Sequence, residues 1–351
     1  MKILFYQDPP KLQSTMLTWS LGEELILQGH EVVFGKPALK QGIFDVVRGG
    51  GETSWDAVKY ARSIGARVHI HLEGIGYWRV GADSARNWGL DVDRIPDSEI
   101  NHWMNTYSSW MSAAYAADSC SVNGARQIQV IQDILFNGKP LPNCHRLSCG
   151  ADARYALSLP DVKKSDYIVT CSRIAPNKKI MHIARALASI APNQRLPWVV
   201  IGYGNQDYVK QVVSFCEEHG IVLHIAPCFG AAKWMLIKRA KLMVQGWNGI
   251  PPAEGLLCDT PVVAFDHPDV MEMYSHTDSN DVEWDALHWA TDNSSAAMAD
   301  VILETLSRMK LFGDRITPMA VSGKGHLMKG LLYACTLEQS AAQYEKIFME
   351  G

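Results

Sequence analysis

The feature that most restricts what this chain can fold into is a rhythm. Short β-rich runs alternate with helical patterns through the first half, and the alternation then starts again. Such alternation builds βαβ units and parallel sheets. In the first half it predicts strands over Ile3–Tyr6, Glu31–Phe34, Asp45–Val47, Arg67–His71, Ser119–Val122 and His145–Leu147. Between the first two, Thr15–Gln28 places Leu17, Leu21, Leu25 and Ile26 on one helical face, and Gly29 follows as a C-cap. The second half predicts strands over Tyr167–Thr170, Trp198–Ile201, Val222–Ile225, Leu242–Val244 and Pro261–Ala264. Its helices are expected over Ile180–Ile190, Tyr208–His219 and Ala231–Ala240. Trp103, Tyr107, Trp110 and Met111 recur at helical spacing and read as core. Beyond residue 280 only an amphipathic helix over Leu337–Met349 stands out.

A chain of 351 residues exceeds what one hydrophobic core comfortably serves. The aperiodic stretch Leu157–Ser165, with Pro160 and the Lys163-Lys164 pair, marks the junction. The expected organisation is an N-terminal Rossmann-like domain over 1–157 and a C-terminal one over 158–335. A terminal helix over 336–351 is free to pack back on the first domain. Two open parallel sheets in tandem face a cleft, and ligands bind such sheets beyond the carboxyl ends of their strands.

Composition narrows the function classes. At 47% hydrophobic and 20% charged the chain is an ordinary globular protein. A net charge of −4 argues against wrapping a long nucleic acid, where Lys and Arg contacts supply most of the affinity. It leaves room for a local basic cleft. The eight cysteines form no CxxC pair and read as reduced, mostly buried thiols. Cys144, His145 and Cys149 lack a second ligand pair, so no metal site is expected. MKILFYQDPP reads as a first strand rather than a signal peptide. No window reaches the roughly 18 to 20 apolar residues of a spanning helix. The expected location is the cytoplasm, with peripheral attachment to a membrane left open.

The most informative stretch is GIPPAEGLLCDTPVVA, from Gly249 to Ala264. A Gly/Pro loop enters a helix, whose first-turn amides lack intrahelical acceptors and suit an anion. Glu254 falls in that first turn, where it can serve the helix dipole or accept two ribose hydroxyls.

This stretch resembles the donor segment of the retaining GT-B glycosyltransferases called family 4, or glycosyl transferases group 1. The resemblance implies that Glu254 binds the nucleotide ribose, and that Gly249, Ile250 and Pro251 form the loop holding donor sugar and phosphate. The family's first Glu is replaced by Gly246; Gln245 and Asn248 are candidates to substitute for it. A second match is Arg173 followed five residues later by Lys178, both implied to reach the donor diphosphate, with Lys179 competing for the second role. Such cations stabilise charge on a departing nucleoside diphosphate and need no metal. Gly202 and Gly204, after Trp198–Ile201, resemble the glycine turn that lines the nucleotide pocket.

The first half resembles the family more loosely. The Gly-Gly loop after its first strand is replaced by Pro9-Pro10-Lys11-Leu12, and Ser148 to Asp152 resembles the turn that ends its N-terminal domain. Strand alternation sends His69, His71 and Glu73 to one side. By resemblance His71 hydrogen-bonds the donor sugar as the catalytic-site histidine, with Glu73 orienting it or meeting the acceptor. Tyr77 and Trp78 follow on a loop and could stack on an acceptor.

The implied activity is metal-independent hexosyl transfer from a UDP- or GDP-sugar, with retention, to a glycan, lipid or other small acceptor. No cofactor is implied beyond the donor substrate. Two other readings stay open: a non-catalytic GT-B-like nucleotide-sugar-binding or scaffold protein, and a nucleotide-sugar epimerase.

Overall fold

A computed structural model describes residues 1–7, 16–37, 43–72, 108–123, 128, 141, 143–147, 150–246, 250–265, 287–290, 294–312 and 336–350. Its contacts separate two compact units. One contains Met1–Cys149 with Leu337–Gly351, and the other Gly150–Thr336. The short helix Ala153–Ser158 therefore belongs to the second unit.

The first unit is built on six parallel strands: β1 (Lys2–Tyr6), β2 (Glu31–Gly35), β3 (Val46–Gly50), β4 (Arg67–His71), β5 (Ser119–Val122) and β6 (Cys144–Arg146). Their order is β2-β1-β3-β4-β5-β6. Because successive side chains leave a strand on opposite faces, β1 feeds two cores at once. Leu4 joins Val47, Ile70 and Ala57 on one face. Ile3 and Phe5 join Leu21 and Leu25 of the first helix, Met16–Leu27, on the other. The terminal helix, Leu337–Glu350, closes this second face with Ala341, Tyr344, Ile347 and Phe348.

The second unit has its own six parallel strands: β7 (Ser165–Cys171), β8 (Trp198–Ile201), β9 (Leu223–Ile225), β10 (Ala240–Gln245), β11 (Val262–Phe265) and β12 (Leu287–Ala290). Their order is β12-β11-β10-β7-β8-β9. The chain winds outward from β7 through β8 to β9, then returns to the other side of β7 with β10. Neighbours β7 and β10 are thus the switch point of a doubly wound sheet, where the loops beyond their carboxyl ends diverge. A buried hydrogen-bond relay ties these strands together. Trp198 Nε1 donates to Thr170 Oγ1 at 2.9 Å, and that hydroxyl donates to the Val244 carbonyl at 2.7 Å.

Among the described elements that the sequence did not indicate are the helices Ser54–Ile64 and Ser295–Phe312, and β12. The first buries mainly small residues, Ala57 and Ala61 beside Val58 and Tyr60, so its apolar stripe is thin. The second buries Met298, Ile302, Leu306 and Met309 at helical spacing, a signal present in the sequence. Met111 is buried, whereas Trp103 and Tyr107 lie outside the described residues.

The stretch read as a featureless junction contains an anchor. Lys164 Nζ donates to the Lys238 carbonyl at 2.8 Å, to Thr260 Oγ1 at 2.8 Å and to the Cys258 carbonyl at 3.3 Å. A cation there satisfies carbonyls at the ends of two helices, Gly230–Arg239 and Pro251–Leu257. Lys164→Met is expected to lower stability by about 1 to 2 kcal/mol in urea denaturation. A midpoint equal to that of the parent would remove the anchor.

Candidate functional site

In the second unit the chain leaves β7 at Cys171, and Ser172, Arg173 and Ile174 continue beside the segment that leaves β8. Ser172 N donates to the Ile201 carbonyl at 3.0 Å and Ile174 N to the Tyr203 carbonyl at 2.8 Å. Ile174 and Gly204 also form a parallel bridge. A Cβ at Gly202 would run into the Ser172 carbonyl, and one at Gly204 into that of Ile174. The two glycines let the loops lie flush and so fix the backbone that carries Arg173.

Arg173 is exposed, while Lys178 ends the 3-10 turn Pro176–Lys178. Burial, and then the nearby Arg173 charge, lower the Lys178 ammonium to about 8. Lys179 is left-handed at φ 53°, and burial lowers its ammonium to about 8 as well. Its Nζ lies 4.7 Å from the centre of the Phe265 ring. Cations depressed in this way favour a site that receives an anion.

Beyond β10 the chain meets this turn. A Cβ at Gly246 would lie 2.6 Å from the Lys178 carbonyl oxygen and 2.9 Å from Lys179 Cβ. The position where the resemblance places a first Glu therefore has no room for any side chain. Before it, Gln245 is buried, and its Nε2 has no hydrogen-bond acceptor among the described residues.

The helix Pro251–Leu257 starts with Pro at its first position, and Ile250 makes no side-chain cap. Glu254 lies in this helix, 7% exposed. Lys233, from the helix Gly230–Arg239, donates to Glu254 Oε1 at 2.5 Å. Glu254 Oε2 is buried without a partner among the described residues. Burial, followed by the Glu254 charge, pushes the Cys171 thiol up to about 12. That coupling places the end of β7 beside the carboxylate. Burial pulls the Lys233 ammonium down, but the Glu254 carboxylate and neighbouring cysteine sulfurs outweigh it, and the net shift is upward.

Arg173, Lys178, Gly246, Ile250, Pro251 and Glu254 thus gather at the carboxyl ends of β7 and β10, with Gly202 beside them. Gly249 and Asn248 lie outside the described residues. Lys233 had not been singled out. It is one of two lysines in the helix Gly230–Arg239, and nothing in its own neighbourhood points to a glutamate 21 residues away.

In the first unit, His69 and His71 share a face, since both reach Ser121 Oγ at 2.8 Å. His69 Nδ1 lies 2.9 Å from Ser119 Oγ, and His71 Nδ1 lies 3.0 Å from the Tyr344 hydroxyl. Both rings are buried. Desolvation first, then the Arg48 charge, hold both imidazoles well below their usual range and therefore neutral. His71 Nε2 has no hydrogen-bond partner among the described residues. Glu73, Tyr77, Trp78 and Pro9 to Leu12 lie outside the described residues. Six cysteines, at 120, 144, 171, 216, 228 and 258, are free thiols; Cys149 and Cys335 are outside. Among the described residues no helix is long and apolar enough to cross a membrane.

Solved structures share this architecture along the whole chain. HepE of Anabaena in complex with UDP-glucose superposes with a TM-score of 0.70 at 15% identity, covering 100% of both chains. A glycosyltransferase from Rickettsia africae gives 0.69 at 11% identity, over 99% of this chain and 98% of that one. An alpha-glucosyltransferase in complex with UDP gives 0.65 at 12% identity, over 99% and 100%. No curated protein matches the chain by sequence. The two doubly wound sheets therefore define a protein of GT-B fold. Residues 158–311 match the family model described as Glycosyl transferases group 1. That match lies within the second unit, and the chain as a whole has the GT-B fold.

Proposed function

We propose that the second unit binds a UDP- or GDP-sugar and that the chain transfers its hexose, with retention and without a metal, to a glycan, lipid or other small acceptor. One observation carries the reading. A depressed lysine facing an arginine, a buried amide donor and a buried carboxylate acceptor meet at one switch point. Unmet polar atoms in a folded interior need an explanation, and a ligand with a diphosphate and hydroxyl groups supplies one. HepE and the alpha-glucosyltransferase, each solved with a uridine nucleotide, share the fold and support uridine as the base to try first.

In this reading Arg173 and Lys178 hold the diphosphate and stabilise the charge that develops on it as the glycosidic bond breaks. Glu254 accepts from the ribose, Gln245 contacts the sugar in place of the family's first Glu, and Gly249, Ile250 and Pro251 form the loop around it. His71, a neutral ring, is suited to hydrogen-bonding a sugar and not to carrying a proton. That role falls to it by the family resemblance, with Glu73 in support.

The test is a thermal-shift screen of nucleoside diphosphates, followed by incubation of the stabilising sugar donor with candidate acceptors. Preferential binding to the native state raises apparent stability. The anomeric configuration of the product, read by NMR, decides retention. Donor bound with no product from any acceptor would favour a binding protein, and isomerised donor an epimerase.

A pH dependence follows from Lys178. Its folded ammonium titrates near 8, well below its ordinary 10.5. The unfolded chain therefore binds more protons between those values, and this group makes the free protein more stable as pH rises through that window. Diphosphate binding has the opposite sign, because it needs the ammonium. Affinity measured by calorimetry is expected to fall about tenfold from pH 7 to pH 9, with proton uptake near pH 8. Affinity that is flat over this range would place Lys178 away from the phosphates.

A further inference from the structure

A carboxylate that grips a ribose ordinarily offers both oxygens to its two hydroxyls, as expected for Glu254 from the sequence. The structure divides the two oxygens. Oε1 is taken by Lys233 Nζ at 2.5 Å, and only Oε2 remains without a partner among the described residues. The pair is well shielded, with side-chain exposures of 21% for Lys233 and 9% for Glu254. Buried charges of this kind stay paired, since separating them leaves an uncompensated charge at large cost. The pair is also mechanically fixed. Lys233 is set by its own helix, with Nζ 5.5 Å from the Trp234 ring, and Glu254 by the helix Pro251–Leu257.

We propose that Lys233 is a specificity-determining residue that reserves one oxygen of Glu254, so that the nucleotide's ribose is gripped through one hydroxyl rather than two. This rests on the reading of the second unit as a nucleoside-diphosphate site. It yields a property that a two-handed grip lacks: the 2′- and 3′-hydroxyls become unequal. Removing the gripped one leaves Oε2 buried and unmet, whereas removing the other costs little. Lys233 touches neither sugar nor phosphate in this assignment. It acts by occupying Oε1 and by fixing the direction of Oε2.

The experiment uses the full-length protein and calorimetric titration with whichever of UDP or GDP binds, together with its 2′-deoxy and 3′-deoxy forms. One deoxy form is expected to bind about tenfold or more weakly than the parent nucleotide, and the other within about twofold. In Lys233→Met the inequality should shrink below about threefold, because the released carboxylate can turn both oxygens to the ribose or turn away. Lys233→Arg, which keeps the cation, should restore it. Two analogues weakened alike in the parent protein overturn the proposal without any variant, so misfolding of Lys233→Met cannot shelter it. An inequality that persists in folded Lys233→Met overturns it too. Absence of binding by either parent nucleotide instead removes the underlying nucleotide-site reading, a result distinct from both.

Discussion

Arg173→Ala is expected to lower turnover by about 100- to 1000-fold while leaving the melting temperature nearly unchanged. The magnitude is that of removing one preorganised donor aimed at charge developing in a transition state. The unchanged stability follows from the side chain's surroundings. Arg173 is exposed, its guanidinium makes no hydrogen bond among the described residues, and its backbone is held by Ser172, Ile174, Tyr203 and Gly204 whatever side chain it bears. Removing the charge also relieves Lys178, which Arg173 helps to depress. Arg173→Lys should fall between parent and alanine, since it keeps the charge but loses the planar fork that matches phosphate oxygens. Lys178→Ala should be comparably damaging, and the double variant less than multiplicative, because the two cations serve one anion. Steady-state kinetics with a saturating acceptor, run beside a melting curve, decides. Activity and stability falling together across these variants would make Arg173 a structural residue.

Restoring the family's first acidic residue by Gly246→Glu should abolish donor binding rather than improve it. The reason lies in the Cβ alone. At 2.6 Å from the Lys178 carbonyl oxygen, 2.9 Å from Lys179 Cβ and 3.2 Å from the Lys179 carbonyl oxygen, it meets chiefly backbone, which cannot rotate away as a side-chain tip can. Accommodation requires shifting the Lys178–Lys179 turn, where Lys179 already holds a left-handed conformation. Overpacking of this kind costs about 1 to 3 kcal/mol and displaces the cation meant for the diphosphate. Gly246→Ala separates sterics from charge, since it carries the same Cβ. Alanine is expected to reduce nucleoside-diphosphate affinity about tenfold or more and to lower the melting temperature, with Glu at least as harmful. A Gly246→Glu protein that binds donor as tightly as the parent would show that the turn yields, and that the missing acid is a simple loss.

The second prediction bears on how the chain departs from the pattern it resembles. A lost Glu, read from sequence, suggests a weakened sugar site. In the structure the same position is where two loops touch, and its neighbour Gln245 presents an amide Nε2 with no acceptor among the described residues. The substitution and the close approach belong together: the turn can sit against β10's exit because no side chain stands there.

What the sequence determined by itself was everything that repeats or lies close along the chain. Short apolar, β-rich runs placed eleven of the twelve described strands to within a few residues, because a parallel strand buried on both faces demands a continuous apolar run. The spacing of Arg173 from Lys178 and the Gly/Pro entry to the helix of Glu254 are likewise local, so motif and chemistry could be read together. Tertiary structure alone decided which of these groups meet. Lys233 is joined to Glu254 only because the helix Gly230–Arg239 packs beside Pro251–Leu257, and Gly246 is constrained only because β10 lies next to β7. Such contacts depend on where distant segments are brought by the winding of the sheet. A residue's neighbours along the chain carry no record of the charge or carbonyl that folding sets against it.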